Sequence, residues 1–179
     1  MMVLTEAELV AWGERIGAEA ELPLVLALRG RLGAGKSVLA RAVARGAGVR
    51  GPMPSPTFNL VYRYHGEARD AEVWHLDLYR LEDPEEVWEL GWQELGEGRQ
   101  IVLIEWPERA ESLLPRDRWD VELEIPESAG VGEPADGGAG PEAEGDASGA
   151  GGGASRRRVR VTRRGEAPEL PGVPAEVGE

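Results

Sequence analysis

The clearest chemical signal in this sequence is the run Gly30-Arg31-Leu32-Gly33-Ala34-Gly35-Lys36-Ser37, which fills every fixed position of G-x-x-x-x-G-K-[ST]. Glycines let successive backbone N–H groups curl around phosphate oxygens without a Cβ in the way. A helix that follows such a turn aims the partial positive charge of its N-terminus at the same anion. The backbone from Arg31 through Leu32, Gly33, Ala34 and Gly35 would cradle the phosphates of a nucleotide. Lys36 would reach the β- and γ-phosphates, and the Ser37 hydroxyl would hold Mg²⁺. A plain strand-to-helix turn can share the pattern. The setting favours phosphate binding, because the apolar run Leu24–Leu28 precedes the turn and a stretch with one apolar face, Lys36–Ala47, follows it. Lys36 is also the sole lysine, beside nineteen arginines.

Two acids stand where such a site needs them. Glu105 ends the apolar run Ile101-Val102-Leu103-Ile104, and acids at the carboxyl end of a buried strand lie in the crevice where α/β sheets bind ligands. It could hold Mg²⁺ or orient an attacking water; the plainer alternative is a solvated acid past a strand end. Asp77 follows Val73-Trp74-His75-Leu76 and is a second candidate for the metal shell, or equally a turn or capping aspartate. His75, without a partner at ligand spacing, reads as structural, and His65 beside Gly66 as an exposed turn residue. Ser55-Pro56-Thr57 could present a hydroxyl to the γ-phosphate or serve as a rigid connector. Trp88, Leu90 and Trp92 read as packing or interface residues, and Trp106-Pro107 as a turn that packs on the core.

The elements that must position these residues follow from periodicity. Thr5-Glu6-Ala7-Glu8 is a capping box, and Leu9, Trp12, Ile16 and Ala20 predict an amphipathic helix over 6–20. The continuously apolar runs 24–28 and 101–104 predict strands buried on both faces. Helix 36–47 carries Val38, Leu39, Ala42 and Val43 on its buried side. Strands are expected over 58–62 and 72–76, a helix from Asp83-Pro84 to Gly91, and a short helix over 108–114. Strands 119–125 and 157–162 alternate as an antiparallel pair. The fold class is α/β: a three-layer P-loop NTPase-like fold with a mixed, largely parallel central sheet and a C-terminal antiparallel strand pair. The domain comprises 1–125 plus 156–165. Residues 126–155, rich in Gly, Ala, Pro and acids, have too little apolar surface to order and are expected to be disordered. Residues 166–179 read as a flexible acidic tail.

Composition narrows the function. The chain has no cysteine, which excludes disulfides and thiol chemistry. No apolar run approaches the length of a membrane span. The start lacks the basic region and apolar stretch of a signal peptide, so a cytoplasmic protein is expected. The net charge of −13 is carried by appendages: of 33 acids, six lie in 126–155 and four in 166–179, leaving 23 against 20 bases. A near-neutral body is not a nucleic-acid-binding footprint.

These motifs resemble, in order, those of the TsaE (YjeE) family. Leu28–Leu39 is similar to its L-x-G-D-L-G-A-G-K-T loop. Ser55–Val61 is similar to S-P-T-[FY]-x-L-V, His75–Leu81 to H-x-D-L-Y-R-L, and Ile104–Arg109 to [IV]-E-W-P-E-R; Asp83-Pro84-Glu85-Glu86 and Leu90-Gly91 match its D-P-E-E and L-G elements. The resemblance covers roughly 4–125. It implies Mg²⁺-dependent ATP hydrolysis, acting with TsaD and TsaB to form threonylcarbamoyladenosine at position 37 of tRNAs that read codons beginning with A. In that scheme the protein is not the transferase, and tRNA is met through the complex. By match, Lys36 and Ser37 are the phosphate and Mg²⁺ residues and Glu105 is the second Mg²⁺ ligand. Thr57 and Asp77 fall at active-site positions, and Glu6 falls where the family approaches the nucleoside. The sequence departs from the family at Arg31 (usually Asp), at Ser37 (usually Thr) and in the long insertion, which bears on whether Arg157 contacts nucleoside. The competing activities are a P-loop kinase, with Arg80 or Arg109 on the phosphates, and a scaffold that senses ATP without hydrolysing it. A GTPase with an N-K-x-D motif is excluded, since the single lysine is already in the loop.

Overall fold

A computed structural model of the chain describes residues 1–56, 59–126 and 156–172. Thr57, the 126–155 stretch apart from Pro126, and the tail beyond Gly172 lie outside the described residues. The order of elements is β1 (Met2–Thr5), α1 (Glu6–Glu19), β2 (Leu24–Arg29), α2 (Lys36–Gly46), β3 (Val61–Gly66), β4 (Ala71–Asp77), β5 (Gln100–Glu105), β6 (Arg118–Glu124) and β7 (Arg156–Arg164). Short 3-10 segments occupy Pro84–Leu90, Trp92–Glu94 and Pro107–Leu113. The strands form one sheet in the order β1-β7-β6-β2-β5-β4-β3. Its centre, β6-β2-β5-β4, is parallel, and antiparallel strands flank it on both sides.

The apolar runs act as read. Leu24 through Leu28 and Ile101 through Ile104 are buried on both faces because each strand sits between two parallel neighbours and two cores. One core lies between the sheet and the α-helices and includes Leu9, Ile16, Leu26, Leu39, Val43 and Leu103. The other lies under the 3-10 segments and includes Trp74, Leu76, Val87, Trp92, Val102 and Ile104. α1 begins at the expected capping box: Thr5 Oγ1 accepts from Glu8 N and Glu8 Oε2 accepts from Thr5 N. α1 and α2 cross at backbone contact, since a Cβ on Gly17 would lie 1.9 Å from the Val43 carbonyl oxygen and one on Gly46 2.0 Å from that of Glu14. Arg69, from the turn between β3 and β4, donates to the carbonyls of Gly17, Ala18 and Ala20 and closes the C-terminus of α1, whose last turn has no base of its own.

Several expectations need correction. The segment from Asp83 to Gly91 has its N-cap, capping box and left-handed Gly91 as read, but it is a 3-10 helix. Its inward residues, Val87 and Leu90, are three apart, the spacing that a three-residue turn aligns. The expected helix over 108–114 is likewise 3-10, over Pro107–Leu113. The strand expected over 58–62 starts at Val61, because Leu60 has φ +59° and its neighbour Asn59 turns back on Pro56. β1 was not expected; it pairs with β7 at the sheet edge. The segment read as a flexible tail is packed over 166–172: Ala167 and Leu170 are buried, and the indoles of Trp12 and Trp119 donate to the carbonyls of Pro171 and Pro168. Among the described residues, no helix is long and apolar enough to cross a membrane.

Candidate functional site

The strand β2 delivers the glycine-rich turn to the carboxyl edge of the sheet. Gly33 and Gly35 have φ of +78° and +109°, backbone that an L side chain rarely adopts, so the loop requires glycine there. Gly35 is the N-cap of α2 and offers no side-chain cap, so the first N–H groups of α2 are left to whatever the loop encloses. Ala34 is buried, whereas Arg31, Leu32 and Gly33 are exposed. A cavity of about 260 Å³ opens beside the turn, lined by Gly33, Gly35, Lys36, Ser37, Ser55, Asp77, Glu105 and Trp106 among others.

Lys36 is 4% exposed. Its Nζ donates to the carbonyls of Gly30 (2.6 Å) and Arg31 (3.1 Å) and stands 3.7 Å from the centre of the Trp106 ring. Burial pulls the Lys36 ammonium below the ordinary lysine value, against the opposing pull of the carboxylates of Glu105, Glu108 and Asp77. Trp106 holds that place from a left-handed backbone, φ +56°, ahead of the Pro107 turn, and its ring packs 4.9 Å from that of Tyr79.

Across the cavity, the parallel pairing of β4 with β5 sets Asp77 opposite Glu105. Ser37 Oγ donates to Glu105 Oε2 at 2.8 Å, and Glu105 Oε1 lies 2.7 Å from His75 Nε2. Asp77 Oδ1 accepts from Tyr79 N and its Oδ2 accepts from Ser55 Oγ at 3.3 Å. The structure therefore brings Lys36, Ser37, Asp77 and Glu105 together. Glu6 is exposed at the start of α1, and Leu9 of the same helix lies beside Gly35. Arg31 lines a separate cavity of about 600 Å³ with Glu122 and Arg158, and Arg157 donates to the Ala34 carbonyl. Arg109 lies over Tyr79, and no arginine is among the described residues that line the smaller cavity.

Sequence reasoning missed the contact of His75 with Glu105 and the seat of Lys36 on Trp106. A signal for the first was present: His75 and Asp77 are two apart on one strand and so share a face. Among the described residues there is no group of three or more His, Cys, Asp and Glu that could cage an ion. A hydroxyl and a carboxylate 2.8 Å apart, with a second carboxylate beside them, form instead a sparse all-oxygen set. Mg²⁺ accepts such a set when phosphates and waters complete its octahedron. Lys36 and the uncapped end of α2 could hold the matching anion.

The family described as "Threonylcarbamoyl adenosine biosynthesis protein TsaE" matches residues 3–130. Curated proteins named "tRNA threonylcarbamoyladenosine biosynthesis protein TsaE" are similar. That of Treponema pallidum is 36% identical over 114 residues, 64% of this chain and 82% of its own. That of Haemophilus influenzae is 40% identical over 95 residues (53% and 59%), and that of Bacillus subtilis 36% over 97 residues (54% and 59%). The match therefore spans most of the first relative and under two thirds of the other two. The crystal structure of YdiB from Bacillus subtilis superposes with a TM-score of 0.56 at 26% identity, covering 72% of this chain and 82% of that one. With its family match running from β1 through the glycine-rich turn and the Glu105 strand to the end of β6, this chain belongs to the TsaE family.

Proposed function

We propose that this protein hydrolyses ATP with Mg²⁺ at the cavity between the glycine-rich turn and the β4–β5 edge, and that it does so in the threonylcarbamoylation of tRNA. The observation that carries the reading is the contact of Ser37 with Glu105 at 2.8 Å, beside the buried Lys36. Lys36 and the backbone from Arg31 to Gly35 bind the phosphates. Ser37 and Glu105 would hold Mg²⁺, which when bound would supply charge neutralisation at the β- and γ-phosphates. Glu105 and Asp77 orient the water whose oxygen bonds to the γ-phosphorus as the bond to the ADP oxygen breaks. Thr57 belongs to this set by its place in the family motif. Neutralising the developing charge usually takes an arginine. None lines the cavity among the described residues, which supports an ATPase that is slow alone and accelerated by TsaD and TsaB. Membership of the family supports a cytoplasmic role in forming threonylcarbamoyladenosine at position 37 of tRNAs that read codons beginning with A, with the transfer itself done by the partners.

The test is Glu105→Gln, which keeps the shape and removes the charge. ATP turnover should fall about 100-fold or more, as when a preorganised group is lost from a transition state, while nucleotide affinity changes far less. Threonylcarbamoyladenosine formation in a reconstituted assay with TsaD, TsaB and tRNA should fall with it. Wild-type turnover in Glu105→Gln would end the assignment, and ATP consumption that requires a small-molecule acceptor would replace it with a kinase.

A further inference from the structure

We infer that His75 is a positioning residue that fixes the carboxylate of Glu105 for Mg²⁺ and water. The inference rests on the function proposed above. A buried histidine is most often a packing residue with a satisfied hydrogen bond, so the geometry must argue otherwise. His75 is 2% exposed and Glu105 2% exposed. The two oxygens of Glu105 are divided between two partners: Oε1 to His75 Nε2 at 2.7 Å and Oε2 to Ser37 Oγ at 2.8 Å. A carboxylate held at one oxygen only can rotate about its last side-chain torsion, which is soft. Held at Oε1 by an imidazole N–H, it presents Oε2 in one direction, toward Ser37 and the phosphate end of the cavity.

The support for His75 is itself rigid. It sits in β4, paired with β5 at Leu103, two residues before the pairing of Asp77 with Glu105. Asp77 and His75 thus reach the same face of the sheet from one strand, the first lining the cavity and the second gripping the glutamate behind it. An outer partner that orients a ligating carboxylate in this way commonly changes metal affinity or activity 10–100-fold when it is lost. A residue that only filled space would affect stability and leave the metal response alone.

The test compares two amides. In His75→Gln the side-chain N–H can reach the position of Nε2; in His75→Asn it falls short, although the site stays polar. Nucleotide affinity is measured by calorimetry with Mg²⁺ and with EDTA, alongside turnover and the melting temperature. In His75→Asn the Mg²⁺ concentration for half-maximal effect should rise about 10-fold or more, kcat should fall by a similar factor, and KM and the affinity in EDTA should hold. His75→Gln should recover most of the loss. Equal behaviour of both variants, whether both match the wild type or both are impaired in step with a lower melting temperature, overturns the inference. Should His75→Asn fail to fold, the ring ¹⁵N resonances of His75 in the wild type decide: they should shift when Mg²⁺ joins bound nucleotide, and unmoved resonances overturn the inference. A wild-type protein whose nucleotide affinity ignores Mg²⁺ would instead refute the proposed function.

Discussion

Substituting Gly17 by alanine sets helix propensity against packing, and the structure says which wins. Alanine in a helix interior is favoured over glycine by about 1 kcal/mol, so on sequence grounds Gly17→Ala in the last turn of α1 stabilises by up to that amount. The structure reverses the sign. The new Cβ would lie 1.9 Å from the Val43 carbonyl oxygen and 2.8 Å from Ala47 N. Ordinary contact begins near 3.4 Å, so the helices would have to part by about 1.5 Å. Both obstacles are backbone, and no rotamer change relieves them. Overpacking costs about 1–3 kcal/mol, occasionally more; a clash with backbone belongs at the upper end, which leaves a net loss of roughly 2 kcal/mol after the propensity gain.

For a chain of this size, each kcal/mol moves the melting temperature about 2–4 °C, so a fall of roughly 4–8 °C is expected by circular dichroism. Ala18→Gly, at the exposed neighbouring position in the same last turn, calibrates the propensity term and should cost no more than about 1 kcal/mol. Because α2 carries Lys36 and Ser37, Gly17→Ala should also weaken nucleotide binding. A melting temperature equal to or above that of the wild type would refute the backbone-contact account of the crossing.

Two further outcomes are expected. Lys36→Ala should lower ATP–Mg²⁺ affinity at least about 10-fold, the loss of one strong charge-assisted contact, with little fall in melting temperature because a buried ammonium is costly to keep; unchanged affinity by calorimetry in the folded variant would remove the phosphate-binding role. At Asp120, burial alone would raise the carboxyl, but hydrogen bonds from Arg164 and Arg118 and the charges of Arg118 and Arg29 more than offset it and hold it below the usual aspartate range. A lowered folded value means that this stabilisation is present above the unfolded value and is lost as pH falls through the folded one. Asp120→Asn should therefore melt lower at neutral pH, by roughly 2 kcal/mol for hydrogen bonds to charged groups, and show a flatter acid limb below about pH 4; parallel wild-type and variant curves through that range would contradict the linkage.

What was legible in the sequence was local. The glycine-rich turn, the continuously apolar strands and the alternating pair β6 and β7 each carry their signal within a few neighbouring residues. What was not legible depends on distant partners. Four residues make β1, and only pairing with β7, far along the chain, makes them a strand. Glu166 and Glu169 made the C-terminal segment look solvated, yet two indole N–H groups from Trp12 and Trp119 grip its carbonyls. The 3-10 form of 84–90 hangs on a three-residue spacing of inward residues, a subtler cue than the cap and stop that mark its ends. The contact of His75 with Glu105 exists only once β4 is laid parallel to β5 in one register, and sequence periodicity does not choose which strands become neighbours.

The distance between Ser37 and Glu105 is consequently a joint product of two packings. Ser37 takes its place from α2, which is seated on α1 through Gly17 and Gly46 and on the sheet through Leu39 and Val43. Glu105 takes its place from β5, clamped between β2 and β4, and from the imidazole of His75. The two packings meet in the core, where Leu39 and Val43 of α2 share a cluster with Leu103 of β5. A change in the helix crossing should move the hydroxyl more than the carboxylate, whereas a change at His75 should free the carboxylate more than the hydroxyl. Gly17→Ala and His75→Asn therefore damage the same pair from opposite sides. If one 2.8 Å contact is the quantity that matters, the double variant should bind Mg²⁺–nucleotide little worse than the weaker single variant, because a broken contact cannot be broken twice. Fully additive losses would mean that the two residues act on different features of the site.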